Sequence, residues 1–301
     1  MLDFSSTIET LRLANKITGE KIYSWKLLSL HNLEVKSSNG LTIKTDCLLE
    51  DVKRNENIII CGGENIKKES SKELIAWIRR HYRKGINVIG LHTATQIMAM
   101  AGLLKNKKCT IHWESRENFL EEFPDHNLSS SVYSIDGNCF TSAGGTASLD
   151  LFLYIIAKTH SSDLSNLVAD KINHSSIRTD KDDQRLSIPK RIGIRHPKLS
   201  LVLEIMEKSI EEPVSPSLLA NRVGMSTRQL ERLFRRYLNL SPKKYFMKLR
   251  LTKSKNLLTQ TNMSIINVAM SCGFSSPSHF SKCYRNHFNI TPYKEREHKC
   301  F

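Results

Sequence analysis

The chain contains no run of 18 apolar residues, so it offers no candidate membrane-spanning helix. Its N-terminus carries Asp3 and Glu9 and lacks a basic stretch ahead of an apolar one, so no secretory leader is expected. None of the seven cysteines (Cys47, Cys61, Cys109, Cys139, Cys272, Cys283, Cys300) forms a C-x-x-C pair. Their odd number and wide scatter argue against a disulfide frame or a zinc site and for a reducing, cytoplasmic compartment. At 40% hydrophobic and 25% charged, the composition excludes disordered and collagen-like chains. Acidic residues are scarce in one region only. Residues 191–301 hold 20 basic and 7 acidic side chains, whereas residues 1–190 hold 25 and 23. The net charge of +15 thus divides into +13 on the last third and +2 on the rest. A length of 301 residues suggests about two domains.

The basic third contains an internal repeat. Ala220, Gly224 and Ser226 recur 49 residues later as Ala269, Gly273 and Ser275. After a one-residue insertion, Leu230, Phe234, Arg235 and Pro242 recur 50 residues later as Phe280, Tyr284, Arg285 and Pro292. A short helix, a glycine turn and a second helix make a helix-turn-helix, here present twice. On a wheel of about 100° per residue, Leu230, Leu233, Phe234 and Tyr237 share one sector, with Arg228, Arg232 and Arg235 opposite. In the second copy Phe280, Cys283, Tyr284 and His287 share the apolar sector, with Ser278, Lys282 and Arg285 opposite. A helix anchored by one face and presenting Arg or Lys on the other suits a major groove, where arginine bonds guanine bidentately and neighbouring cations neutralise phosphates. One such helix would read as an ordinary solvated basic face; two at matched phase predict DNA reading. The segment Lys243–Gln260 reads as a connecting helix of 18 residues. At ~1.5 Å per residue it spans ~27 Å, against a groove separation of ~34 Å. Upstream, Leu199, Val202, Leu203, Met206 and Ile210 form an amphipathic stripe expected to cover the first motif.

These residues resemble the AraC/XylS family of bacterial transcription regulators over about Pro197 to Pro292. The likeness rests on G-M-S at Gly224–Ser226, L-E-R-L-F-R-R at Leu230–Arg236 and C-G-F-S-S-P-S-H-F-S-K at Cys272–Lys282. It implies that Arg228, Glu231 and Arg232 face bases in one groove, and Ser278, Ser281 and Lys282 in the next. With Arg235 and Arg285 these form the expected DNA-binding set. Past Pro292 the family's usual ending is blurred, and nothing is carried over there.

The neutral two-thirds alternates short apolar runs with helical periodicity, which favours a layered α/β domain. Expected strands are Tyr23–Leu30, Ile58–Cys61, Asn87–Leu91, Val132–Ile135 and Cys139–Thr141. Two S-x-x-E capping boxes, at Ser6–Glu9 and Ser70–Glu73, predict helix starts. The second helix should stop at Gly85, and another should run from Thr146 to about His160. Three segments follow strands, where an open α/β sheet forms its ligand crevice: Gly62–Asn65, His92–Ala94 and Ser142–Thr146. Helix N-termini there offer free N–H groups to an anion.

The order of segments over roughly residues 1–172 resembles the PfpI-like, class I glutamine amidotransferase-like fold, a flavodoxin-like layered sheet. Its enzymes place a nucleophilic cysteine on the turn after the strand Asn87–Leu91; here that position is His92, and no cysteine lies between Cys61 and Cys109. Without a thiolate the Cys–His chemistry is absent. A PfpI-like amidase or hydrolase with an accessory DNA-binding domain is therefore the rival reading, and a ligand-free DNA-packaging protein a third. The combination with an AraC-type C-terminus resembles the regulators called GlxA-type, including Thr141–Asp150 and Asp183–Arg185. That resemblance implies control of quaternary-amine catabolism (carnitine, glycine betaine) or of arginine catabolism. Independently, Glu64 and Trp113 could hold a cationic head group, and the glycine turns a carboxylate. Such folds begin with a buried strand, yet Met1–Phe4 leads almost directly into the Ser6 box. The sequence ahead of Ser6 leaves no room for that first strand. The expectation is a start further upstream, with an upstream extension raising soluble yield and stability, or else an unpartnered sheet edge.

The expectation is thus an α/β effector-sensing and dimerising domain over 1–172, a linker over 173–196 and an all-α domain with two helix-turn-helix motifs over 197–301. The expected ligand-binding residues are Gly63, Glu64, His92, Thr93, His112, Trp113, Gly144 and Gly145. No catalytic residue, metal or cofactor is expected. The expected partners are promoter or operator DNA, a small-molecule effector, a second copy of the chain and, for an activator, RNA polymerase.

Overall fold

The alternation of apolar runs and amphipathic stretches resolves, in a computed structural model describing residues 1–63, 66, 70–184 and 196–297, into two units. They are Met1–Gln184 and Arg185–Phe301. The layered part of the first comprises helix α1 (Leu2–Thr18), strand β1 (Ile58–Cys61), α2 (Lys72–Arg83), β2 (Val88–Leu91) and α3 (Ala94–Met100). Then come β3 (Tyr133–Asp136), β4 (Cys139–Ser142), α4 (Thr146–Thr159) and α5 (Ser162–Lys171). These four strands form the largest sheet among the described residues, in the order β1-β2-β4-β3. β1 and β4 lie parallel to β2, and β3 runs antiparallel to β4.

Every residue of β2 is buried, as a central strand covered on both faces requires. Val88 joins Ile78, Ile97, Met98 and Phe119 on one side, while Ile89 and Leu91 join Leu11, Ala147 and Leu151 on the other. Helices α2 and α3 therefore cover one face and α1 and α4 the opposite one, a three-layer α/β arrangement.

Several local expectations shift. Helix α1 starts at Leu2, so Ser6 is no cap; its hydroxyl donates to the Asp3 carbonyl at 3.1 Å. Asp3, bonded across to Gly145, ties down an extra turn that sequence alone had no reason to place. The cap of α2 is Ser71, one residue past the expected Ser70, and it accepts from the Leu74 amide at 3.1 Å. Of the strand expected over Tyr23–Leu30, only Leu28–Ser29 pairs, with Cys47–Leu48. The side chain of Asn15 bonds both the N–H and the carbonyl of Tyr23 at 2.8 Å, which takes that residue out of any ladder.

Residues 173–184, expected to open the linker, are bonded onto the first unit. The fully buried carboxylate of Asp150 accepts from His174 Nε2 at 2.7 Å and from the Arg178 backbone N–H and Nε at 3.0 and 2.8 Å. Val132 N–H donates to the Asp182 carbonyl at 2.9 Å, and Gln184 Nε2 donates to the Ile111 carbonyl at 2.8 Å. Residues 185–195 of the expected linker lie outside the described residues.

The second unit comprises α6 (Pro197–Lys208), α7 (Pro216–Arg222), α8 (Thr227–Leu238), α9 (Pro242–Gln260), α10 (Ile265–Ser271), α11 (Pro277–Phe288) and α12 (Pro292–Glu297). Ser215–Pro216, Ser241–Pro242 and Ser276–Pro277 each place a serine cap before a proline in the first turn, where its missing N–H costs nothing. The unit has two cores. Leu199, Val202, Leu203 and Met206 of α6 pack with Leu219, Leu230, Phe234 and Phe246. Leu251, Leu257 and Leu258 pack with Val268, Phe274, Phe280 and Tyr284. Helix α9 supplies both, and so joins them. No described helix is long and apolar enough to cross a membrane.

Each helix-turn-helix turns on a glycine of positive φ, Gly224 at 61° and Gly273 at 73°. A Cβ on Gly224 would meet only Lys198 Nζ at 3.8 Å, whereas one on Gly273 would lie 2.5 Å from the Ile210 carbonyl oxygen and 2.6 Å from Pro213 Cγ. Both alanine variants incur the left-handed penalty of roughly 1–2 kcal/mol. Gly273→Ala adds an overlap of about 1–3 kcal/mol. Urea denaturation should place Gly273→Ala below Gly224→Ala by that margin; equal midpoints would refute the close approach.

Candidate DNA-reading surface and effector pocket

The DNA-reading surface is built from two matched turns. Gly224 N–H donates to the Asn221 carbonyl and Met225 N–H to that of Ala220, at 3.0 and 2.9 Å. Gly273 and Phe274 repeat the pair on Met270 and Ala269, at 2.8 and 2.9 Å. Helix α8 opens with a reciprocal capping box, Gln229 N–H to Ser226 Oγ at 3.2 Å and Ser226 N–H to Gln229 Oε1 at 2.8 Å. Helix α11 opens at Ser276, which accepts from the His279 amide at 3.3 Å. The counterpart of Ser226 is thus Ser276, and the inserted residue is absorbed before the cap. Both helices end on a left-handed asparagine, Asn239 and Asn289.

Leu230 and Phe234, and Phe280 and Tyr284, are buried, while Leu233 and Cys283 pack at the core's edge. Tyr237 and His287, expected on the apolar sectors, are exposed. Their places are taken by Leu238 and Phe288, one residue on, because the cores close over the last turn from that side. Arg228, Glu231, Arg232, Arg235, Ser278, Lys282 and Arg285 are exposed, and Ser281 is half-buried. No described residue forms an ion pair with Arg228, Arg232, Arg235, Lys282 or Arg285, so these cations are uncommitted.

Sequence reasoning missed Arg250, at the middle of α9. Its Nε and Nη2 donate to the carbonyls of Cys272 and Gly273, both at 2.7 Å, and its guanidinium lies 4.0 Å from the Phe274 ring centroid. The fork thereby satisfies carbonyls left free at the C-terminal end of α10 and fixes the second turn against the connector. Lone arginines on a basic helix give no periodic signal.

In the first unit, the turn from β2 to α3 places His92 at φ 59°, a left-handed conformation that costs a histidine free energy. Its ring stacks on His112, with centroids 4.5 Å apart and planes at 23°, and Trp113 lies 5.5 Å beyond His112. Burial, and then the neighbouring His92, pull the His112 imidazole down to about 4. Thr93 Oγ1 donates to the Gly63 carbonyl at 2.7 Å. A Cβ on Gly144 would lie 2.6 Å from His92 Cδ2. The structure therefore brings Gly63, Thr93, His92, His112, Trp113, Gly144 and Gly145 into one region at the carboxyl ends of β1, β2 and β4. Glu64 lies outside the described residues. Missed in the sequence was Asp3, whose Oδ1 accepts from Gly145 N–H at 2.5 Å and from Ser148 Oγ at 3.2 Å. The anion seat expected at that helix N-terminus is thus filled from within the chain. Among the described residues, no group of three or more His, Cys, Asp or Glu side chains is placed to hold a metal ion.

Comparison with known proteins agrees with both halves. Residues 219–298 match the helix-turn-helix domain family, and residues 2–158 match the DJ-1/PfpI family. The chain is 39% identical over 297 residues to the HTH-type transcriptional regulator GbdR of Pseudomonas aeruginosa, spanning 99% of this chain and 81% of that protein. It is 37% identical over 296 residues to the HTH-type transcriptional regulator CdhR of the same species, spanning 98% and 88%. A solved structure of an AraC family transcriptional regulator from Pseudomonas putida matches 57% of this chain and 92% of its own, with TM-score 0.52 and 21% identity, a likeness of fold.

Side chains facing bases and side chains facing phosphates differ in how their loss is felt. Arg232→Ala should weaken binding to the preferred DNA element by about 1–3 kcal/mol and relax selectivity in one half-element; Lys282→Ala should do so in the other. Binding measured across a panel of half-element variants checks this. Equal weakening on every sequence would reassign the side chain to phosphate.

Proposed function

Because the chain belongs to the AraC-type helix-turn-helix transcription regulators that carry a DJ-1/PfpI domain, we propose that it is a ligand-responsive activator of a catabolic operon, with a small cationic metabolite as its effector. The observation that carries the DNA-reading part is the pair of recognition helices, α8 and α11, at matched phase with their outward cations uncommitted. Each is held by its own core, and both cores share α9.

The effector would occupy the region around His92, His112, Trp113, Gly63, Thr93 and Gly144. A quaternary amine such as carnitine or glycine betaine, or arginine, is the proposed class. Support comes from aromatic faces beside a buried carboxylate, the surroundings an organic cation favours. The first unit would also dimerise, and an activator would contact RNA polymerase; the cytoplasm is the proposed compartment. Hydrolysis has no place in this reading, because an imidazole occupies the turn from which a thiolate would attack. An effector alters transcription only by binding one arrangement of the regulator more tightly than another.

Two measurements on the full chain test the proposal. For DNA binding, log K should fall linearly with log salt by ~0.9 per phosphate neutralised; a flat salt response would sink the DNA-reading claim. For the effector, a thermal-shift series with carnitine, glycine betaine, choline and arginine should yield at least one stabilising ligand, worth about 2.7 kcal/mol at 100 times its Kd. No stabilisation by any of them would contradict the effector class.

A further inference from the structure

We propose that Asp3 is the counter-ion for the effector's cationic group, and that the amide of Gly145 is closed to the effector's anionic end. The inference rests on the effector reading above and deepens it by naming the residue that selects for charge.

Asp3 stands in the first turn of α1 and is only 9% exposed. Its Oδ1 takes the Gly145 N–H and the Ser148 hydroxyl, both in the opening turn of α4. A helix N-terminus attracts one anion readily, but this one already holds a carboxylate. A ligand carboxylate arriving there would have to break the bond to Gly145 and face the charge of Asp3 at close range. The sequence alone suggested the reverse assignment, with the glycine turn holding an anion.

The second oxygen, Oδ2, has no hydrogen bond or ion pair from any described residue. A buried carboxylate left with an unused oxygen and, among the described residues, no lysine or arginine paired with it favours a cation brought from outside. The neighbouring wall suits an organic cation rather than a hydrated metal. Asp3 and His92 border the same space beside Gly144, where a Cβ would lie 2.9 Å from Asp3 Oδ1 and 2.8 Å from His92 Cβ. Beyond His92 follow the stacked ring of His112 and the indole of Trp113. His112 stays uncharged above pH of about 4, so it presents a π face and not a competing cation. His92 Nδ1 is buried without a partner and adds one polar atom to the same wall.

The test uses the full chain and a matched pair of probes, glycine betaine and 3,3-dimethylbutanoate, which replaces the ammonium nitrogen by carbon and keeps the carboxylate. Choline, which keeps the ammonium and lacks the carboxylate, is the third probe. Calorimetric titration should show glycine betaine or choline binding at least tenfold more tightly than the carbon isostere. Asp3→Asn retains an oxygen for Gly145 and Ser148 and removes the charge; it should cost the ammonium probes at least tenfold and leave the isostere unchanged or tighter. Unaltered ammonium binding in Asp3→Asn would overturn the role of Asp3 while leaving the effector reading intact. If that variant does not fold, the wild-type pair decides, since an isostere that binds as tightly as the ammonium overturns the proposal. Failure of glycine betaine, choline, carnitine and arginine alike to bind wild type would remove the effector reading and this inference with it.

Discussion

Two recognition helices read one duplex together only if their spacing and rotation are held, and in this chain both are held by the single rod α9. Phe246 near its start belongs to the first core, and Leu251, Leu257 and Leu258 further along belong to the second. Its 19 residues span ~28 Å at ~1.5 Å each. Between the two cores, Arg250 clamps the carbonyls of Cys272 and Gly273 and covers Phe274. The approach of Ile210 and Pro213 to Gly273 brings the lead-in of the first motif against the turn of the second. Relative motion of the motifs would have to break a bidentate arginine and open a packed glycine contact together. The exposed residues on α8 and α11 acquire a common purpose only because of this rod.

The first unit is organised around the opening turns of α4 in a comparable way. Asp3 binds Gly145 and Ser148, and Arg178 reaches Thr146 and Asp150, so α1 and the outgoing segment 173–184 grip neighbouring residues of one helix. Gln184 at the end of that segment bonds the carbonyl of Ile111, the residue before His112. The proposed effector region and the outgoing segment therefore share their supports on α4. A ligand that changed the hold of Asp3 on α4 would act on the same turns that anchor the departing chain, which is the kind of shared element a coupling between sites requires.

The sequence was most legible where structure is periodic. The 49- and 50-residue repeats, the glycine turns, the serine–proline starts and the β–turn–α spacing all belong to short-range patterns that survive folding unchanged. It was least legible where one side chain meets a distant backbone. Asp3 and Gly145 are 142 positions apart and Asp150 and Arg178 are 28 apart, and no local rule connects them. Residues 173–184 looked like a linker because they hold on through side-chain and backbone bonds without a repeating apolar face. Tyr237 and His287 were misplaced because a wheel treats all turns alike, while a core covers a helix end from one side. Tyr23 left its expected strand for the side chain of Asn15, a competition that propensity cannot weigh.

The uneven charge acquires a structural meaning from these arrangements. The last 111 residues carry +13, and part of it stands on two helices joined by a rod shorter than one helical repeat of DNA. The near-neutral first unit has no comparable electrostatic reason to touch a polyanion. On the DNA-reading proposal, α8 and α11 engage successive major grooves on one face of the duplex. Its most direct test is the affinity of the full chain for its operator before and after insertion of about half a helical turn (~5 base pairs) between the two half-elements. The insertion should reduce binding to the level of a single half-element, and a full-turn insertion should not restore it, because α9 cannot stretch. Undiminished binding after the half-turn insertion would contradict it.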